Sequence, residues 1–134
     1  MLAVVGCLVS MAPGTSAAAR APSDAERAAI RQAIFDDLAA NAMPARPIIT
    51  RIRVSSITLP ARETGYRYSR FARVDLMDRT RAGFAAALLG YYVASIPGWK
   101  VLDLGSVEVG CIRRPSVFHY KQRAILRDLK LECP

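Results

Sequence analysis

Asp103 and His119 are the residues of this chain with the clearest capacity for proton transfer. His119 is the single histidine among 134 residues, and imidazole is the side chain whose ordinary titration lies nearest neutral pH. It stands between Phe118 and Tyr120 near the expected start of a terminal helix, a position that also suits a surface or capping group. Asp103 alternates with Trp99 and Val101. Strand parity therefore predicts that it shares their face and is partly buried, the setting in which a carboxylate can serve as a catalytic acid or base. The plainer alternative is a carboxylate bonded to a loop or paired with an arginine. The chain has no Gly-rich phosphate loop and no GxSxG elbow, and Gly105-Ser106 reads as a strand end.

Binding chemistry has two further candidates. Tyr66, Tyr68, Tyr91 and Tyr92 could line a ligand cavity with orienting hydroxyls, although ordinary sheet packing explains them equally well. Arg51, Arg53 and Arg73 have outward parity if Ile52 and Val74 face a core, so neighbouring strands could present an arginine ladder. Guanidinium forks match phosphate and carboxylate bidentately. Arg73 could instead pair with Asp75 or Glu63. One histidine and no CxxC pair fall short of a four-ligand zinc site, and no motif implies a cofactor.

The elements that must position these residues are legible in the periodicity. Ser23 followed by Glu26 forms a capping box, and Ala29, Ile30, Ala33, Ile34 and Leu38 make one apolar stripe, predicting an amphipathic helix that ends near Asn41, before Pro44 and Pro47. Residues Ile48 to Leu59 and Gly65 to Met77 alternate as strands, and Asp78 to Gly83 is a polar turn. Phe84 to Ser95 mixes helix-favouring alanines and leucines with strand-favouring Tyr91, Tyr92 and Val93. Its place between two turn signals predicts a strand. Being apolar on both faces, that strand should lie centrally, with one face on the helix and the other on a second core or pocket. Trp99 to Leu104 is a further strand, and Ile125, Leu126 and Leu129 predict a short helix within Phe118 to Leu129.

The N-terminus reads as an export signal. Residues Leu2 to Met11 are almost wholly apolar, and Gly14 to Ala19 are small. A signal peptide over residues 1–21 is expected, with cleavage after Ala19 or after Ala21, and a single domain over 22–134. The apolar run is too short to span a bilayer, which takes about 20 residues. Val4-Val5-Gly6-Cys7 also fits a loose lipoprotein box, which would make Cys7 a lipid anchor. Loss of Cys7 leaves Cys111 and Cys133, and an even count in an oxidising compartment implies a disulfide. Two reduced thiols in a cytosolic protein are the alternative.

A mature chain of about 115 residues suffices for one core. The formal net charge of +8 favours anionic partners. Only Lys100, Lys121 and Lys130 are lysines, so the basic residues are mostly arginine. Codon usage in a GC-rich genome produces the same bias.

A helix followed by a meander of about four strands resembles cystatin-like and nuclear-transport-factor-2-like α+β folds. The run Gly98 to Ser106, then Val109-Gly110-Cys111 and Leu129-x-Leu131-x-Cys133, is similar to small exported bacterial proteins with a short helix between two final cysteines. That resemblance implies a periplasmic or extracellular protein with a curved antiparallel sheet. It leaves two expectations for function. One is a non-enzymatic domain that binds a protein or an anionic envelope polymer, nucleic acid being an improbable partner. The other is a pocket protein of isomerase or hydrolase type, in which Asp103 and a tyrosine would act within an apolar cavity.

Overall fold

The computed structural model describes residues 18–42, 46–60, 67–79, 83–111, 121–131 and 133. Helix α1 (Asp24–Ala40) is followed by strands β1 (Ile48–Val54), β2 (Tyr68–Met77), β3 (Phe84–Tyr92) and β4 (Gly98–Gly105), then by the short helix α2 (Gln122–Asp128). The strands form an antiparallel meander in the order β1-β2-β3-β4. The fold is therefore α+β, with an open four-stranded sheet, an N-terminal helix and a short C-terminal one. Among the described residues no helix is long and apolar enough to cross a membrane. The part of the expected signal peptide up to Ala17, with Cys7, lies outside the described residues, as do Tyr66 and His119.

Both faces of the sheet are covered. Ile30, Ile34 and Leu38 of α1 pack on Ile52, Val54, Ala72, Val74, Leu76, Ala87, Leu89 and Trp99. On the opposite face Ile125, Leu126, Leu129 and Leu131 pack on Phe71, Leu88, Leu59 and Val109. Strand β3 explains the arrangement, since Ala87 and Leu89 belong to the first core and Leu88 to the second. A strand with two apolar faces is stable only between two layers. Opposite α1 the sheet thus carries a second hydrophobic core. Ile34 is completely buried, and its truncation to alanine would cost about 2–5 kcal/mol.

The ends of α1 and α2 are fixed by local chemistry. Ser23 Oγ accepts from the Glu26 amide at 3.2 Å while Glu26 accepts from the Ser23 amide at 3.1 Å, which completes the capping box. Helix α2 closes in a Schellman turn: the Leu131 amide donates to the Leu126 carbonyl at 2.8 Å and the Lys130 amide to the Arg127 carbonyl at 3.1 Å. Lys130 takes the left-handed conformation there, with φ of 57°. A disulfide between Cys111 and Cys133, with Cα atoms 5.5 Å apart, brackets this helix. A cross-link over 22 residues restricts the unfolded chain by roughly 3 kcal/mol.

Candidate functional site: an arginine cleft at the edge of β1

Strand β1 is one edge of the sheet. Its alternation sends Ile52 and Val54 into the first core, so Arg51 and Arg53 point to the other face. Residues 18–22 run beside this edge. The Arg20 amide donates to the Val54 carbonyl and the Val54 amide to the Arg20 carbonyl, both at 2.8 Å. Between that segment and the strand lies a cleft of about 140 Å³, lined by Ala19, Arg20, Ala21, Arg51, Ile52 and Arg53. This is the space of about five waters, room for one carboxylate or phosphate group.

The three arginines of the cleft differ in what they already hold. Arg20 grips Glu26 bidentately at 2.8 and 3.0 Å. Arg70 reaches the same carboxylate at 3.3 Å, and its guanidinium lies 4.3 Å from the Tyr91 ring centroid. The hydrogen bonds from Arg20, helped by those from Ser23, pull the Glu26 pKa down to about 2. Arg51 is exposed and stands opposite Asp75 in register. Arg53 is half-buried, and its Nε is a buried donor with no acceptor. An unsatisfied buried donor costs about 1–3 kcal/mol, so an incoming anion would find a group already stripped of water.

Arg73 does not belong to this cleft. It faces α2, where its Nε donates to Asp75 Oδ1 at 2.7 Å and its Nη1 donates to the carbonyls of Leu129 and Lys130 at 3.2 and 2.5 Å. Those carbonyls lie at the end of α2, where a cation satisfies otherwise orphaned acceptors. The expected ladder of Arg51, Arg53 and Arg73 is therefore split into a cleft-lining pair and a structural cap. Asp128 completes the docking of α2, its Oδ2 accepting from Ser55 Oγ, the Ser56 amide and Ser56 Oγ at 2.7, 2.8 and 3.1 Å.

Asp103 occupies a different face from the one parity predicts. The register shifts between Leu88 and Leu89, so that Leu89 pairs with Val101 and Leu88 with Asp103. This bulge leaves Trp99, Val101 and Leu104 on the α1 side and turns Leu102 and Asp103 toward the second core. The carboxylate accepts from the Gly110 amide at 2.7 Å and from its neighbour Leu104 at 3.0 Å. It ties the β4 end to the loop that leads into Cys111.

The tyrosines divide between the faces. Tyr68 and Tyr92 are register partners with ring centroids 5.5 Å apart on the α2 side, and burial raises the Tyr68 pKa. Tyr91 lies on the α1 side, edge-on to Trp99 at 5.6 Å. Among the described residues no group of three or more His, Cys, Asp or Glu is placed to hold a metal ion. Sequence reasoning missed Arg20 as a cleft residue. Its only signal is its position three residues before the Ser23 cap, which does not encode strand pairing with Val54. No family model, no curated protein and no solved structure matches this chain.

Proposed function

We propose that the protein is an exported, non-enzymatic binding domain that takes an acidic protein segment along the β1 edge. The observation that carries this reading is the buried, acceptor-free Nε of Arg53 beside exposed Arg51 at the mouth of the Arg20 cleft. An extended segment has a second source of affinity there, because Arg20 is the sole backbone partner on the outer side of β1 among the described residues. Strand addition at such an edge uses the free backbone groups for affinity and side-chain pockets for specificity. A second copy of this chain fits less well, since two β1 edges would bring Arg51 and Arg53 against like charges.

Export is supported by the leader pattern and by the Cys111–Cys133 disulfide, which persists in oxidising compartments, and of the two expected cuts the one after Ala19 is compatible with the binding site because it keeps Arg20. The non-enzymatic reading is supported by Asp103, whose two oxygens are engaged by backbone amides, and by the second hydrophobic core that packs under α2 on the sheet face opposite α1. The element order supports a cystatin-like or nuclear-transport-factor-2-like relationship.

Titration of a glutamate-rich peptide into the oxidised protein tests the proposal. Arg51→Ala/Arg53→Ala should lose at least about tenfold in affinity, the scale of one charge-assisted hydrogen bond. Binding should also weaken as salt screens the exposed partner. Equal affinity for the double variant and the parent protein would refute it.

A further inference from the structure

A second cluster of arginines lies on the flank of α1 beside its core-facing stripe, and none of its residues lines the β1 cleft. Arg27, Arg31 and Phe35 follow one another at intervals of four residues and so share one helix face. The chain after α1 brings Arg46 back onto the same face. The guanidinium carbons of Arg31 and Arg46 lie 5.8 and 5.0 Å from the centroid of the Phe35 ring. Arg46 is fastened there by its carbonyl, which accepts from Arg79 Nε at 3.1 Å. Two like charges are therefore held over a single ring, whose electron-rich face offsets only part of their repulsion.

These side chains border a groove of about 540 Å³, nearly four times the volume of the β1 cleft. Asp24, at one end, is its single carboxylate, and Gln32 on the same wall already donates to Asp36 at 2.7 Å. Among the described residues none of Arg27, Arg31 and Arg46 forms an ion pair. The groove follows α1 from Asp24 to Phe35, about 16 Å at 1.5 Å per residue, and so suits an elongated ligand.

We infer that the groove along the flank of α1 binds a linear chain of phosphate groups. Arg31 and Arg46 clamp one phosphate above Phe35, and Arg27, one turn toward the helix N-terminus, takes the next. A guanidinium fork matches the oxygens of a phosphate, and several phosphates relieve the repulsion among three arginines where one monoanion would not. The positive end of the α1 dipole adds to the attraction at the Asp24 end. This site is independent of the β1 edge and of the acidic segment proposed there.

The test uses the oxidised protein, with inorganic triphosphate and orthophosphate as probes. Triphosphate should shift the Phe35 ring resonances saturably and bind at least tenfold more tightly than orthophosphate. Arg31→Ala/Arg46→Ala should lose at least tenfold in triphosphate affinity, whereas Arg51→Ala/Arg53→Ala should retain it. Phe35→Leu, which keeps an apolar contact with the first core, should weaken binding severalfold. Unchanged affinity in Arg31→Ala/Arg46→Ala, or saturable shifts confined to Arg51 and Arg53, would overturn the inference. Neither result bears on peptide binding at β1.

Discussion

Arg53 and Arg73 stand directly opposite each other across β1 and β2, yet only one of them is satisfied by the fold. Arg73 holds Asp75 and the last carbonyls of the α2 turn, while the buried Nε of Arg53 has no acceptor. The difference follows from the placement of α2. Its C-terminal turn reaches β2, so the arginine under it becomes a cap. The arginine on the edge strand is left beside the N-terminal segment, where the cleft opens.

Arg73→Ala should destabilise the oxidised protein by roughly 2–3 kcal/mol, because it removes charge-assisted bonds to two carbonyls and leaves Asp75 half-buried without that partner. Urea unfolding measures the loss. Amide exchange should show it concentrated in residues 121–131 and their contacts. A change below 0.5 kcal/mol, the scale of an ordinary surface substitution, would mean that the cap contributes little.

Gly90→Ala should be destabilising although the position is in a regular strand. An added Cβ would lie 2.7 Å from Tyr68 Cδ1 and 2.9 Å from Leu102 Cδ1, closer than real Cβ contacts allow. Overpacking of this kind costs about 1–3 kcal/mol. Thermal unfolding tests it. The control Tyr68→Leu/Gly90→Ala, which makes room for the methyl group, should recover part of the loss relative to Tyr68→Leu alone.

Acid should weaken the junction of α1 with residues 18–22 through Glu26. Its carboxylate ordinarily titrates near 4.5 and is held at about 2 in the folded protein, chiefly by hydrogen bonds from Arg20. The unfolded chain therefore takes up the proton first as pH falls. Stability from this group is complete above about pH 5 and is lost between there and pH 2. Glu26→Gln should flatten the decline of unfolding free energy over that window. An unchanged slope would show that the Arg20 and Arg70 contacts do not hold the carboxylate.

Much of the fold was legible because its signals are local. The Ser23 and Glu26 box, the stripe through Ile30 and Ile34 and the two apolar faces of β3 depend on near neighbours, and each has its expected role in the structure. The site was less legible because its determinants are tertiary. One inserted residue at Leu102 carried Asp103 to the other face, where the Gly110 amide receives it. Arg73 could not be separated from Arg51 and Arg53 until α2 was placed on the sheet. Arg46 stands eleven residues after Phe35, and nothing in that spacing announces that the two meet.

The most direct test of the binding account is to observe the Arg53 Nε–Hε resonance of the oxidised protein while a glutamate-rich peptide is added. A saturable downfield shift of that proton, with a midpoint that rises with salt, is the predicted result, because a carboxylate supplies the missing acceptor. A resonance that stays in place when the peptide is saturating would contradict it, since the bound segment would then leave the one buried, unpartnered guanidinium nitrogen of the cleft untouched.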